Sequence, residues 1–434
     1  MSANNSFFDL SQVPAKHHYY LMANEVADRV LEFVAGCKEP AVLEAGEEPL
    51  VLTAGQFSLD VAGDRVFLEA WDDKRSLTRR LTRIVGRGPG KLEVEVQRLG
   101  KKAGSLLVVD RARPTNQRLD RQARRWQLRE RLRRLLARQF HGWTITDLTA
   151  EADLEHTLSP AYARGMIRRG SSAWAVLGAP GDAGTADAAL TFGLIWLDYL
   201  RRRETKAVVE GLCLLLPVGF ELTTCLRLRW LNPRAAQFAT FLYDGEDWEE
   251  RVDWRVHGNL HTKIEPASSN APGRIKPGSP ESWLEAQVRR DITQFDARLN
   301  RTPVYGQVPA WAAADRGVLD LLAVDHSGRL AVVELKATAD PNLPLQALDY
   351  WLRVDWHNRQ GDFARQGYFT GVGLSAERPR LTLIAPALQF HPTTETVLRC
   401  LAAEVEVERV GVAVEWQQQE VRILFRLQGA QSPG

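Results

Sequence analysis

The chain has 434 residues, 44 % of them hydrophobic, and 56 lysines and arginines against 54 acids, for a formal charge of +2. That length predicts two or three separate cores rather than one, and so even a charge does not by itself announce a polyanionic partner. Cys37, Cys213, Cys225 and Cys400 stand without CxxC or Cys/His ligand spacing, which argues against a zinc site and a disulfide framework. No signal-peptide pattern opens the chain and no apolar run reaches bilayer length, so a cytoplasmic protein with reduced thiols and no membrane partner is expected.

In chain order, residues 1–110 read as a β-rich N-terminal domain. An apolar-periodic helix around Leu21 to Phe33 is followed by strand-like text at residues 57–60, 65–69, 91–97 and 106–109. The segment from Lys91 to Gln97 alternates strictly, which turns Leu92, Val94 and Val96 to a core and Glu93 and Glu95 to water. His17 and His18 lie before the helix, where adjacent histidines read as surface.

Residues 111–264 read as an α/β middle domain. It opens with a helix carrying eleven arginines between Arg111 and Arg138 against Asp120 and Glu130. Arg124, Arg125, Arg131 and Arg134 on it are candidate contacts to a phosphate backbone; an arginine-rich solvated face is the alternative. Strand, strand, helix, strand follow, with strands at 143–146, 173–179 and 212–216 and a helix over 190–200. That order suits an α/β layer, and also a second, degenerate copy of the C-terminal core, lacking any Glu-x-Lys. A polar group at Asp153, Glu155, His156, Tyr162 and Arg164 reads as loop capping ahead of Pro160. No Walker-type phosphate loop or Gly-x-Ser-x-Gly elbow occurs.

Residues 265–280 contain four prolines and form a linker to a C-terminal domain at 281–434. There, two apolar strands flank a tight turn. A three-residue loop of His326, Ser327 and Gly328 pairs Asp325 with Arg329 and puts Asp320 directly across from Glu334. Side chains two apart share a face, so Lys336 joins Glu334 while Val333 and Leu335 point into the layer behind. Facing carboxylates repel on apolar strands, and a divalent cation would remove the conflict. The alternative is a buried hairpin with an Asp320–Lys336 salt bridge.

Asp320 followed by Glu334-x-Lys336 on the next strand, with an acidic helix carrying Glu285 upstream and Gln346-x-x-x-Tyr350 downstream, resembles the PD-(D/E)xK nuclease superfamily in its RecB-type variant. The resemblance covers residues 281 to 390, and departs from the family pattern where Leu319 replaces the proline before Asp320. It implies a restriction-endonuclease-like fold in the C-terminal domain, within an α/β (α+β mixed) protein, and a hydrolase that cuts nucleic acid, DNA foremost. It implies Mg²⁺ or Mn²⁺ held by Asp320, Glu334, the Leu335 carbonyl and Glu285. Lys336 would serve the attacking water or the phosphoryl charge, with Gln346 and Tyr350 positioning substrate or acids. The preceding domains would take a protein partner or a nucleotide regulator. The competing expectation is a catalytically silent nucleic-acid-binding or assembly protein on the same scaffold.

Overall fold

The computed structural model describes residues 15–44, 49–72, 76–97, 104–151, 158, 161–244, 249–256, 262–267, 280–312, 315–413 and 421–429. The fold is mixed α/β, with three sheets distributed over two compact units, the first running to Arg138 and the second made of most of the remaining chain. Among the described residues no helix is long and apolar enough to cross a membrane.

The first unit holds helix α1 (Ala15–Ala35) and strands β1 (Pro40–Glu44), β2 (Leu50–Val51), β3 (Phe57–Ala62), β4 (Arg65–Trp71), β5 (Ser76–Gly88), β6 (Lys91–Gln97) and β7 (Gly104–Asp110). They form one sheet in the order β2-β1-β7-β6-β5-β4-β3. The alternation in β6 performs as its pattern requires: Leu92, Val94 and Val96 are buried and pack with Val26, Val30 and Phe33 of α1. Helix α2 (Pro114–Gln139) belongs almost wholly to this unit, not to the following α/β core as a cut at residue 111 would have it.

The second unit contains two sheets. The first is built from β8 (Thr144–Thr149), β9 (Ala163–Arg169), β10 (Ser172–Gly178), α3 (Ala183–Asp187), α4 (Ala189–Arg203), β11 (Val208–Pro217), α5 (Glu221–Leu228), β12 (Gln237–Tyr243) and β13 (Glu249–Val252), with strand order β13-β12-β11-β10-β9-β8. The second starts with β14 (Thr262–Ile264), α6 (Pro280–Arg290), β15 (Tyr305–Ala312), β16 (Asp315–Val324) and β17 (Leu330–Leu335). It continues with α7 (Leu343–Gln360), α8 (Asp362–Arg365), β18 (Arg380–Pro386), α9 (Thr394–Leu398), β19 (Val407–Val412) and β20 (Ile423–Gln428), the strands ordered consecutively from β14 to β20. In both, two parallel steps lead to a final antiparallel strand.

Two boundaries differ from the sequence reading. Strand β14 lies upstream of the proline-rich segment yet pairs with β15, because Thr262 to Ile264 extend the C-terminal sheet. Of that linker, residues 268–279 lie outside the described residues. Its first residues are held in place: Tyr368 donates its hydroxyl to the Glu265 carbonyl, and the Ala267 amide donates to the Gln366 carbonyl. The middle and C-terminal cores fall in one compact unit. Strand β9, buried along most of its length, lies in text to which the sequence reading assigned no strand, since Tyr162 and Arg164 break the apolar pattern there.

Candidate active site

The β16–β17 hairpin closes with the expected three-residue loop. The Asp325 amide donates to the Arg329 carbonyl at 2.9 Å and the Gly328 amide donates to the Asp325 carbonyl at 3.0 Å. Gly328 sits at φ 82°, and a Cβ there would lie 2.0 Å from the Gly373 carbonyl oxygen, so both the turn and the close approach demand glycine. The ladder pairs Leu321 with Val333 and Val324 with Leu330. The same register carried one step on sets Asp320 opposite Glu334.

Val333 and Leu335 pack with Leu284 and Val288 of α6 on one face of the sheet. Glu334 and Lys336 therefore take the other face, the one that α7 covers. Asp320 is half-buried and its Oδ2 accepts a hydrogen bond from the Leu335 amide at 2.8 Å. Glu334 is 1 % exposed, and its Oε2 has no hydrogen-bond partner.

Burial sets the electrostatics. It pushes the Glu334 carboxyl well above the usual carboxylate range; the Asp320 charge adds to this and Lys336 opposes it. Burial lifts Asp320 to about 6, against the Leu335 amide and Lys336, with Glu281 of α6 pushing the same way as burial. Glu285, buried at 4 % exposure, is pushed up to about 7 by burial and by Asp320, while its hydrogen bond from Gln307 and the charge of Arg289 hold it down. In each, burial outweighs the nearby cation, so the ionised form is disfavoured.

Gln307 ties Glu285 to the hairpin. Its Nε2 donates to Glu285 Oε2 at 2.7 Å and lies 3.5 Å from Asp320 Oδ1. It does so from φ 52°, a left-handed backbone that few residues other than glycine adopt. The preceding Gly306 lets α6 come close, since a Cβ there would fall 2.8 Å from both Glu285 Oε1 and Arg289 Nη1. Sequence reasoning missed Gln307. The available signal was Gly306 inside strand-like text, which marks a bulge or a close approach.

Tyr350 is 7 % exposed, and its hydroxyl is pushed up by burial and by the Glu334 charge. Gln346 lies one turn away, with its Nε2 3.5 Å from the Tyr350 hydroxyl. Asp320, Glu334, Lys336, Gln346 and Tyr350 thus gather at one end of the hairpin, with Glu285 joined through Gln307. Among the described residues, no group of three or more His, Cys, Asp or Glu side chains stands in metal-ligand arrangement.

Outside this centre the outcome is mixed. On α2, Arg124 and Arg134 are exposed and Arg125 is half-buried, but Arg131 is only 3 % exposed, on the same side as Leu128, Leu132, Leu135 and Leu136. Helical spacing places it on the apolar stripe, so it is withdrawn as a phosphate contact. Trp351, next to Tyr350, is core: it is fully buried, donates to the Pro379 carbonyl at 2.6 Å and meets Trp230 edge-on. Asp153, Glu155 and His156 lie outside the described residues, as do the side chains of His17 and His18. No protein-family model and no curated protein sequence matches the chain.

Proposed function

We propose that the C-terminal core is a metal-dependent nuclease of the PD-(D/E)xK kind that hydrolyses phosphodiester bonds in nucleic acid, with DNA as the expected polymer. The observation that carries the reading is the pairing of Asp320 with a buried, partly unpartnered Glu334 beside Lys336. A binding module has no use for two desolvated acids facing each other, whereas a divalent cation neutralises both.

Asp320, Glu334 and the Leu335 carbonyl would hold Mg²⁺ or Mn²⁺, with Glu285 reached directly or through water. Bound there, the ion would supply Lewis-acid polarisation of the phosphoryl oxygens and a more acidic water. Lys336, on the same strand face as Glu334, orients the attacking water and balances charge building on the phosphoryl oxygens. Tyr350 and Gln346 wall the site from α7 and give the substrate hydrogen-bonding groups. In the step itself the water oxygen bonds to phosphorus, the phosphorus bond to the leaving oxygen breaks, and the water proton passes to solvent or to that oxygen. The exposed Arg124 and Arg134 of α2 suit phosphate contacts. The cysteines are all free thiols, consistent with a reducing compartment such as the cytoplasm. Either a protein partner or a nucleotide regulator suits the first unit.

The test is cleavage of linear, circular and single-stranded DNA and of RNA by the full chain with Mg²⁺ or Mn²⁺, beside Glu334→Ala. Cleavage that needs the ion and vanishes in the variant is expected. Equal rates in both proteins would reject the assignment.

A further inference from the structure

The two sheets of the second unit repeat one another in detail. Strands β8 to β13 with α4 and α5 follow the same order as β15 to β20 with α7 and α9. The registers coincide as well. Gly211 pairs with Gln237 as Leu381 pairs with Val407, each residue matched to one 170 positions later. By the same alignment Val176, opposite Cys213, answers to Glu334, opposite Leu383.

The cores also meet reciprocally. Leu231 and Leu401, counterparts by that spacing, bridge each other antiparallel. The Asn232 amide donates to the Cys400 carbonyl at 2.8 Å and the Ala402 amide to the Trp230 carbonyl at 2.7 Å. Helix α4 packs on α9 and α5 on α7, each helix touching the other core's non-equivalent partner. Residue i meeting j while j meets i is the pattern of an isologous twofold contact.

The acidic centre survives in one copy. Gly178 stands where Lys336 does. The two-residue Gly170–Ser171 turn, with Gly170 at φ 61°, sets Arg169 opposite Ser172 and hence Gly165 opposite Val176, in the place of Asp320. Asp147, at φ 54°, is the counterpart of the left-handed Gln307. Trp196, eighth residue of α4 as Tyr350 is of α7, donates its indole to the Gly165 carbonyl at 2.7 Å. Val176 is fully buried and Trp196 is 5 % exposed. Among the described residues, the positions of Asp320, Glu334 and Lys336 are thus taken by a glycine, a buried valine and a second glycine, whose side chains cannot ligate a cation.

We infer that the second unit is a fused, approximately twofold pair of cores with one working metal centre, and that the chain therefore cuts one strand of a duplex per encounter, with the closed middle core facing the other strand. The inference rests on the nuclease reading of the C-terminal core. The strands of a duplex are antiparallel and related by local twofold axes, so a twofold body presents one core to each; here only the core with Asp320 and Glu334 can hydrolyse.

The experiment pairs Mn²⁺ titration of the full chain, read by electron paramagnetic resonance, with limiting-protein digestion of supercoiled plasmid, using wild type and the double variant Asp320→Asn/Glu334→Gln, both checked for folding by melting. Expected are one Mn²⁺ per chain in the wild type, loss of that site in the variant, and nicked circles that accumulate without linear DNA. A second Mn²⁺ site that survives in the variant, or linear DNA arising together with the first nicks, would overturn the single-centre inference while leaving the nuclease reading intact. A folded wild type that neither binds Mn²⁺ nor nicks removes the nuclease reading, and this inference with it.

Discussion

Arg227 and Asp349 join the two cores of the second unit through a bidentate ion pair, Nε to Oδ1 at 3.0 Å and Nη2 to Oδ2 at 2.6 Å, with the arginine 3 % exposed. Asp187 completes the arginine's shell through its carboxylate at 3.1 Å and its carbonyl at 2.5 Å. Burial pushes the Asp349 carboxyl up and Arg227 opposes the push. Because Asp349 precedes Tyr350 on α7, this pair fixes the helix that walls the candidate site.

Removing one partner strands a buried charge. Arg227→Met should lower stability by roughly 3–5 kcal/mol, and the double variant Arg227→Met/Asp349→Leu should recover most of the loss. Urea denaturation of the three proteins measures both; a double variant no more stable than the single one would contradict this account of the pair.

Glu285 and Asp320 should make stability fall with rising pH in chelator. Both carboxyls have folded pKa values above the unfolded ones, about 7 and about 6, so the folded state keeps protons that the unfolded chain has released. Their stabilising contribution is complete below about pH 4 and is lost as pH climbs through 6 and 7. Glu285→Gln should flatten this slope and raise the melting temperature at pH 8 in EDTA. Divalent ions should reverse the trend, because binding expels the protons; a wild-type melting temperature flat between pH 5 and 8 would count against the raised values.

Gln307 holds Glu285 ionisable through its 2.7 Å hydrogen bond. Gln307→Gly removes the left-handed strain of a non-glycine residue, of order 1–3 kcal/mol, and also the donor. The variant should therefore match or exceed wild-type stability, yet bind Mn²⁺ with a pH midpoint shifted upward. An unshifted midpoint would mean that the amide has no hold on the acid.

The α2 arginines should separate by burial. Arg124→Ala and Arg134→Ala each remove a candidate phosphate contact and should lower the slope of log affinity against log salt by about 0.9 for duplex DNA. Arg131→Ala should instead destabilise the first unit through lost packing. Fluorescence anisotropy across a salt series, with parallel melts, distinguishes the two classes.

The hairpin and its register were legible in the sequence because they are local. A turn glycine, apolar runs of strand length and a side-chain period of two place Asp320 across from Glu334 with no knowledge of the rest of the chain. The amphipathic strand β6 and most helices were equally readable, since each carries its own periodicity. Tertiary structure alone decided what depends on partners distant in the chain. Gln307 reaches Glu285 only because Gly306 lets α6 approach, and Arg131 is buried only because its side of α2 is covered. Strand β9 pairs in spite of its polar residues, and β14 joins a sheet from the far side of a proline-rich segment. The pairing of the two cores was the least visible of all, since its fixed quantities are strand register and helix contacts, and these survive when Glu334, Lys336 and Asp320 are answered by Val176, Gly178 and Gly165. Backbone hydrogen bonding preserves that relation with almost no identity of side chain.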